Sequence, residues 1–178
     1  GPAMSGMRGA GASLAMGDDG TLYAASCGSD GKLRLMQSRD GKSWAQVTTL
    51  GGVESLPDAT LQWYQGSLYL GVMLSGAKPA AYRLVNGTWK QLWASSESYA
   101  MQPQWLEHQN TLYLCYVKSG TKALALQKIA GSGGTLPNLT VSSYLTNPAL
   151  CSWNGKVYAV YSDFMSSKDT TKVAVCSG

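Results

Sequence analysis

The chain has 178 residues, of which 44% are apolar and 13% are charged, and this balance predicts a globular domain with a substantial core rather than a disordered chain. The net charge of +4 arises from 14 basic and 10 acidic residues spread along the sequence, without the basic clusters that phosphate-backbone binding needs. No apolar run approaches the roughly 18–20 residues of a membrane-spanning helix, so neither nucleic acid nor membrane insertion is expected.

The chain is expected to fold as one domain that follows a short foreign segment. Residues 1–4, Gly-Pro-Ala-Met, are typical of the remnant that a protease leaves when it removes a purification tag. Residues 5–178 are therefore assigned to a single domain. No secretory leader is present, and because a leader can be trimmed when a tag is added, its absence says nothing about where the protein works.

Short runs of alternating apolar and polar residues follow one another along the chain, and helical periodicity is scarce. Such alternation, interrupted by Asp-Gly or Asn-Gly dipeptides, is typical of β-strands joined by tight hairpin turns. The sequence therefore predicts an all-β fold. The turn dipeptides are Asp19-Gly20, Asp30-Gly31, Asp40-Gly41, Asn86-Gly87 and Asn154-Gly155.

One strand pattern recurs four times at a nearly constant spacing. The runs TLYAAS, SLYLGV, TLYLCY and KVYAVY each carry a tyrosine and follow a turn that contains Gly or Asn. The tyrosines lie 46, 44 and 45 residues apart, and an apolar strand precedes each run, so every repeat begins with a hairpin. The tyrosines are Tyr23, Tyr69, Tyr113 and Tyr158, and the apolar residues of the preceding strands are Leu14, Leu61, Trp105 and Leu150.

A repeat of about 45 residues that builds a four-stranded antiparallel sheet is typical of a β-propeller blade. The first two repeats continue with a third strand and a Trp-bearing fourth strand, in KLRLMQSRDGKSWAQV and AYRLVNGTWKQLW. The third repeat has a Gly-rich turn at this point, and the fourth reaches only its third strand. The sequence thus predicts an all-β β-propeller of about four four-stranded blades, at residues 13–50, 57–93, 101–143 and 147–176.

The short fourth blade leaves two ways of completing the ring. In a closed four-blade propeller, the N-terminal segment pairs with the fourth blade and removes its unpaired edge, although the glycines of this segment disfavour a strand. Alternatively, the chain is part of a larger ring that is completed by a second copy or by further sequence. Both arrangements stay open, as do a monomer and a homodimer.

The segment SRDGKSW, which begins at Ser38, resembles the Asp-box (BNR repeat) of sialidase-like β-propellers, with one residue fewer between the Asp and the Trp. A less complete copy, VNGTW, ends at Trp89. The resemblance implies a structural role, because Asp-boxes clasp a turn on the side of the propeller away from the catalytic site. Ser38 and Asp40 are expected to bond to the turn backbone, Gly41 to allow positive φ, and Trp44 to bury its ring over the hairpin.

No catalytic constellation is recognised in the sequence. A sialidase needs a cluster of arginines for the substrate carboxylate, and this chain has four arginines at separate places of the expected fold. The single histidine, His108, is expected to be an exposed residue of a hairpin turn, and no serine or cysteine stands in a nucleophile motif. We therefore expect no catalytic residues and no enzyme activity.

Metals and cofactors are not expected either. The cysteines are far apart and include no C-x-x-C pair, which argues against zinc, and no phosphate-binding Gly-Lys-Ser/Thr loop is present. The Asp-rich runs GDDG and GSDG are interpreted as hairpin turns rather than calcium loops. The thiols are expected to be small buried groups, with a disulfide framework as the alternative. They are Cys27, Cys115, Cys151 and Cys176.

Residues that break the repeat are the best candidates for ligand binding, because loops on one face of such a scaffold carry its function. Aromatic rings with polar neighbours suit a glycan or a peptide. The sequence therefore favours a non-catalytic module of a secreted or cell-surface bacterial protein that recognises a glycan or another protein. The alternatives are a degenerate glycoside-hydrolase-like propeller enzyme and a purely structural, oligomerising repeat. The predicted ligand-binding residues are Tyr99, Tyr144, Phe164, Glu54, Asp58, Glu97 and Asp163.

Overall fold

The computed structural model describes residues 12–27, 30–53, 59–99, 103–118, 123–139, 145–163 and 170–177. Over these residues the chain forms antiparallel strands joined by turns, and no helix there is long and apolar enough to cross a membrane. The strands form four sheets, which divide between two compact units, Gly1–Ser96 and Glu97–Gly178.

Sheet 1 is a four-stranded antiparallel meander in the order β1-β2-β3-β4. The register pairs Leu14 with Ala24 and Ala25 with Leu35, and it shifts between Leu35 and Met36 where β3 meets β4. The four strands expected in the first repeat are all present. They are β1 (Ser13–Met16), β2 (Leu22–Cys27), β3 (Leu33–Ser38) and β4 (Ala45–Leu50).

Sheet 2 has the same arrangement, in the order β5-β6-β7-β8. Two of its hairpins turn through residue pairs in which both φ angles are positive, Gln65-Gly66 and Asn86-Gly87. Two-residue loops of this kind match the right-handed twist of the flanking strands, which is why Asn-Gly predicts a hairpin so well. The strands are β5 (Thr60–Tyr64), β6 (Ser67–Leu74), β7 (Lys78–Val85) and β8 (Thr88–Ala94).

The core of the first unit lies between sheets 1 and 2 and consists mainly of buried Leu, Ala and Val side chains. Two contacts join the first strands of these sheets. The N–H of Leu61 donates to the hydroxyl of Ser13 at 2.8 Å, and the ring of Tyr23 stacks on Trp63 with centroids 5.8 Å apart. Trp89, which the sequence assigned a structural role, is buried in this core.

Sheet 3 has three strands among the described residues, in the order β11-β10-β9. On the outer side of β11, where a fourth strand was expected, Leu139 makes a lone bridge to Leu124. The Gly-rich segment that leads there follows the sheet as an irregular chain, so the described part of this sheet falls one strand short of the prediction. The strands are β9 (Gln104–His108), β10 (Thr111–Val117) and β11 (Leu124–Gly131).

Sheet 4 also has three strands among the described residues, in the order β12-β13-β14. Its first hairpin turns at Asn154-Gly155, where both φ angles are positive, as the sequence predicts. The N-terminal segment that could complete this sheet lies outside the described residues. The strands are β12 (Leu145–Trp153), β13 (Lys156–Asp163) and β14 (Thr170–Ser177).

Sheets 3 and 4 share the core of the second unit, and His108 is part of their contact. Its side chain is 2% exposed, and its Nδ1 lies 2.7 Å from the hydroxyl of Ser152 on β12. The prediction of an exposed turn residue is therefore wrong, because β9 continues through His108 and β12 packs against it. The missed signal is the alternation of buried Leu106 and His108 with exposed Glu107.

The four cysteines are free thiols rather than a disulfide framework. Cys27, Cys115 and Cys176 are buried as expected, and burial raises the pKa of the Cys115 thiol far above its usual range. Cys151 is exposed, contrary to the prediction, because it points away from the core on β12. Its pairing residue on β13, Tyr158, is likewise only partly buried.

Candidate functional site

The turn between β3 and β4 is held by the carboxylate of Asp40. Its Oδ1 accepts the N–H of Lys42 at 2.8 Å, the N–H of Ser43 at 2.7 Å and the hydroxyl of Ser38 at 3.0 Å. The Ser38 oxygen also accepts the N–H of Gly41 at 3.0 Å, and Gly41 has a φ of 68°. The contacts expected of Ser38, Asp40 and Gly41 are therefore present.

These donors make the Asp40 turn sensitive to acid. They lower the pKa of the Asp40 carboxyl from 3.8 to about 2, with the N–H of Ser43 contributing most. A carboxyl whose pKa is lower in the folded than in the unfolded chain stabilises the fold above the unfolded pKa, and this stabilisation is lost as the pH falls through the folded pKa. The stabilisation by Asp40 is thus complete above about pH 4 and disappears toward about pH 2.

We therefore expect Asp40→Asn to lower the midpoint of thermal unfolding by a few degrees at neutral pH. Because the wild-type carboxylate is protonated in acid, the difference between the two chains should shrink steadily between about pH 4 and pH 2. Thermal unfolding followed by circular dichroism over that range measures the difference. A difference that stays constant down to about pH 2 would contradict this role for Asp40.

A cleft of about 360 Å³ opens beside this turn, within the usual range of small-molecule sites. Trp44 and Tyr23 give it aromatic surface, and the Tyr23 ring is backed by Trp63 in a stack with an interplanar angle of 12°. Trp44 is only partly buried, because it lines the cleft. The lining residues are Asp19, Thr21, Tyr23, Gln37, Ser38, Arg39, Ser43, Trp44 and Ala45.

The charges of the cleft come from Asp19 and Arg39, whose carboxylate and guanidinium atoms lie 3.6 Å apart. Thr21 donates its N–H to Asp19 at 3.0 Å and its hydroxyl at 2.9 Å. These two bonds, together with the charge of Arg39, lower the pKa of Asp19, whereas burial and the nearby Asp19 raise the pKa of Tyr23. At neutral pH the cleft therefore presents a carboxylate, a guanidinium and a protonated phenol, all of which can hydrogen-bond to sugar hydroxyls.

In the second unit, two predicted ligand-binding residues lie side by side. The hydroxyl of Tyr99 donates to Oε2 of Glu97 at 3.0 Å, and the Tyr99 ring packs 4.8 Å from the ring of Tyr116 on β10. Burial, followed by the neighbouring Tyr99 and Glu97, raises the pKa of Tyr116 to about 12. Tyr99 is buried while Glu97 is exposed, so the two tyrosines form a fixed support behind an accessible carboxylate.

The strand directions place Asp163 at the same end of the second unit as Glu97. β9 and β12 both end where His108 contacts Ser152. The strands that follow them, β10 and β13, are antiparallel to them and therefore both end at the opposite end of the second unit. A bridge between Tyr99 and Lys118 holds the Glu97 segment beside the last residues of β10, and Asp163 is the last residue of β13. We call this end of the second unit the loop end.

The other predicted ligand-binding residues, Glu54, Asp58, Tyr144 and Phe164, lie outside the described residues. Their role, like those of Glu97, Tyr99 and Asp163, stays a prediction. The cleft of the first unit was not foreseen, because its residues come from two separate turns and carry no shared motif. The closeness of Tyr116 to Tyr99 was missed for the same reason.

The Asp-rich run GDDG forms the turn between β1 and β2, with the N–H of Gly17 bonded to the carbonyl of Thr21 at 2.8 Å. Within the described ranges, no group of three or more His, Cys, Asp or Glu side chains is placed to hold a metal ion. The chemistry of both regions therefore has to be derived from their carboxylates, tyrosines and guanidinium groups.

Solved structures resemble this chain over nearly its whole length. The GH93 α-L-arabinofuranosidase of Fusarium graminearum, in complex with arabinobiose, matches 98% of this chain and 65% of its own, with a TM-score of 0.67 at 12% sequence identity. The α-L-arabinanase of Penicillium chrysogenum, also with arabinobiose, matches 93% and 61%, with a TM-score of 0.64 at 13% identity. The chain has a β-propeller fold.

A third propeller of this kind is an α-L-arabinofuranosidase of Clostridium thermocellum, which matches 98% of this chain and 70% of its own, with a TM-score of 0.60 at 14% identity. The chain thus spans 61–65% of the two fungal propellers. No protein-family model matches the sequence, and no curated protein matches it either. At these identities the likeness concerns the fold, and each of the four sheets corresponds to a propeller blade.

The comparison contradicts two predictions, that the protein is a non-catalytic binding module and that it is not an enzyme. The propellers that match 93–98% of this chain are arabinofuranosidases and an arabinanase. The prediction rested on the absence of the arginine cluster that a sialidase needs for its substrate carboxylate. Most glycoside hydrolases need only two carboxyl groups, which stand in no recognisable local motif.

Proposed function

We propose that this chain forms the propeller of a glycoside hydrolase that cleaves α-L-arabinofuranosyl linkages. The observation that supports the proposal most strongly is the likeness of 93–98% of the chain to α-L-arabinofuranosidases and an arabinanase, two of them solved with arabinobiose. The chain itself contributes an accessible carboxylate on a fixed support at the loop end, and a second acidic residue, Asp163, at the same end.

Hydrolysis of a glycoside needs two carboxyl groups with different tasks. One protonates the leaving oxygen as its bond to the anomeric carbon breaks, and the other attacks that carbon or activates the water that does so. We assign these tasks to Glu97 and Asp163. The hydroxyl of Tyr99 orients Glu97 at 3.0 Å, and Tyr116, whose pKa is about 12, stays protonated and packs against Tyr99 without acting as a nucleophile itself.

The proposal is tested by replacing each carboxyl with its amide. We expect Glu97→Gln and Asp163→Asn each to lower kcat on an aryl α-L-arabinofuranoside by about 10²- to 10⁴-fold, because the amide can neither donate nor accept the proton. Glu107→Gln is the matched control, since Glu107 is exposed at the opposite end of the second unit. Equal activity of all three variants would contradict the assignment.

We also propose that the cleft of the first unit binds one sugar unit of an arabinan chain. Aromatic surface beside a carboxylate and a guanidinium suits a sugar ring and its hydroxyls.

This role predicts that substitutions in the cleft affect polymeric substrates but not small ones. We expect Asp19→Asn and Arg39→Ala to raise the KM for arabinan about 10-fold, because each substitution removes one or two hydrogen bonds between a charged group and the sugar. The KM for the aryl α-L-arabinofuranoside should stay unchanged. Asp18→Asn is the matched control, because Asp18 is an exposed carboxylate next in sequence that does not line the cleft. Unchanged kinetics of both variants on arabinan would exclude the subsite.

We further infer that the Asp40 turn is of the Asp-box type. Its support is the network in which Asp40 accepts two backbone N–H groups and the Ser38 hydroxyl, together with the resemblance of the sequence SRDGKSW.

A polysaccharide substrate is found outside cells, so we also propose an extracellular or cell-surface location. Fractionation of the source cells, with detection of the protein in medium and envelope, tests that location.

A further inference from the structure

Two residues behind the cleft of the first unit, Trp63 and Gly17, adjoin its walls without lining it. Trp63 lies on β5, and its ring stacks on the ring of Tyr23 on β2, with centroids 5.8 Å apart and planes 12° apart. Gly17 directly follows β1 and is buried. Of these three residues only Tyr23 lines the cleft, so Trp63 and Gly17 act on a ligand there through their neighbours.

Packing, rather than a hydrogen bond of its side chain, holds Trp63 in place. The ring is partly buried against the core of the first unit, and its Nε1 is buried without a hydrogen-bond partner among the described residues. A buried N–H group without an acceptor costs free energy, so the nitrogen gives no reason for an indole at this position. The indole instead offers a large flat surface for the ring of Tyr23.

Gly17 fits between Trp63 and Asp19 because it has no side chain. A Cβ atom at this position would lie 3.3 Å from Cη2 and 3.4 Å from Cζ3 of the Trp63 indole, and 3.1 Å from Oδ1 of Asp19. Carbon atoms pack best at about 3.5–4.0 Å, so even an alanine would displace the indole and the carboxylate. The close approach of these two groups therefore requires a glycine.

The turn that carries Asp19 is closed by hydrogen bonds of its own backbone. The N–H of Gly17 donates to the carbonyl of Thr21 at 2.8 Å, and the N–H of Gly20 donates to the carbonyl of Gly17 at 3.0 Å. Thr21 also donates its N–H and its hydroxyl to the Asp19 carboxylate. The Asp19 carboxylate is thus ordered by bonds within the protein, and so is the Tyr23 ring by its stack on Trp63.

We propose that Trp63 and Gly17 are positioning residues that set the affinity of the cleft for a sugar. This inference rests on the proposed binding of a sugar unit of arabinan in the cleft. Trp63 holds the Tyr23 ring in one orientation against the apolar face of the sugar, and Gly17 keeps the Asp19 carboxylate beside it for the sugar hydroxyls. Because both groups are already ordered, little side-chain entropy is lost when the sugar binds.

Two tryptophans of sheet 2 provide a matched test. Trp89 also has a buried, unpartnered Nε1 among the described residues, but it lies on β8 at the opposite edge of the sheet from β5. We expect Trp63→Leu and Trp89→Leu both to lower the thermal unfolding midpoint, and only Trp63→Leu to raise the Kd for linear arabinan, by about 3- to 10-fold. Trp63→Phe keeps a flat ring and should bind within about twofold of the parent protein.

The Kd is measured by affinity gel electrophoresis in the Glu97→Gln background, in which the polymer is expected to stay intact. In this background Tyr23→Ala shows whether Trp63 acts through the Tyr23 ring. Once that ring is removed, adding Trp63→Leu should change the Kd by less than about twofold, because residues that act as one unit are not additive.

Gly17→Ala tests the same role without removing a core side chain. It should weaken binding of arabinan several-fold, because it displaces the Trp63 ring and the Asp19 carboxylate together. Gly51→Ala is its matched control, since nothing lies within 4 Å of a Cβ atom at Gly51, and it should leave the Kd unchanged.

The outcomes separate the positioning role from the cleft itself. If Asp19→Asn weakens binding and Trp63→Leu does not, or if Trp63→Leu and Trp89→Leu weaken it equally, the positioning role is wrong and the proposed sugar site stands. If Asp19→Asn and Tyr23→Ala both leave the Kd unchanged, arabinan does not bind in the cleft, and both proposals are overturned.

Discussion

Gly133→Ala is expected to destabilise the protein by about 2–4 kcal/mol, although Gly133 lies on no strand. A Cβ atom at this position would lie 2.2 Å from Oγ1 of Thr111, far inside any permitted contact. That oxygen accepts the N–H of Gly133 at 2.7 Å, and Thr111 is fully buried. The substitution therefore breaks the bond and forces either the segment or the buried threonine to move.

The neighbouring contacts explain why the segment cannot simply shift. The hydroxyl of Tyr113 donates to the carbonyl of Gly134 at 2.6 Å, and the ammonium of Lys128 donates to the carbonyl of Gly133. Three side chains of sheet 3 thus hold a stretch of backbone in the place of a fourth strand. Tyr113 is one of the four repeated tyrosines, and here its hydroxyl holds the backbone of the Gly-rich segment.

Gly134→Ala is the matched control, because nothing lies within 4 Å of a Cβ built at Gly134. Urea unfolding of both variants should show a large loss of stability for Gly133→Ala and a change within about 0.5 kcal/mol for Gly134→Ala. Adding Thr111→Ala to Gly133→Ala removes the clashing oxygen, so the double variant should lose less than the sum of the two single losses. Equal effects of the two glycine substitutions would show that the contact with Thr111 is not what fixes this segment.

His108→Ala is expected to cost about 2–4 kcal/mol, because it removes a side chain that is 2% exposed and leaves a cavity between sheets 3 and 4. The hydrogen bond between Nδ1 and the Ser152 hydroxyl, at 2.7 Å, is lost with it. Ser152→Ala should cost less, about 1–2 kcal/mol, since it keeps the ring in place and leaves Nδ1 without a partner. Nε2 is already buried without a hydrogen-bond partner.

The control for His108 is its neighbour Glu107, which points away from the core on the same strand and is exposed. Glu107→Ala should change the stability by less than about 0.5 kcal/mol. Urea unfolding of His108→Ala, Ser152→Ala and Glu107→Ala measures the free energy of unfolding of each variant. If His108→Ala lost no more stability than Glu107→Ala, the imidazole would not be part of the packing between the two sheets.

The repeat and the turns are the parts of the fold that the sequence determines locally. Asn86-Gly87 and Asn154-Gly155 form the expected hairpins because few other residue pairs tolerate two positive φ angles in succession. The Asp40 turn is also local, since all of its bonds lie within six residues. Turns of this kind can be predicted from the local sequence alone, because their hydrogen bonds do not depend on the residues that pack around them.

The features that sequence reasoning missed all depend on distant contacts. His108 is the last residue of β9, whose length is set by pairing with β10 and by packing of β12. In the sequence alone it stands next to a turn, which suggested exposure. Cys151 sits in an apolar run that looks like core, yet its face of sheet 4 is open. The cleft is lined by residues of two turns that are about 20 positions apart in the sequence. Glu97 and Asp163 lie at the same end of the second unit only because of the directions of the strands next to them.

The most direct test of the proposed function is the release of arabinose from arabinan by the wild-type protein, followed by chromatography of the products over time. The proposal predicts steady release of arabinose or short arabino-oligosaccharides, and at least a 100-fold slower release by Glu97→Gln, whose thermal stability should match that of the wild type. No release from arabinan or from an aryl α-L-arabinofuranoside by the folded wild-type protein would contradict it.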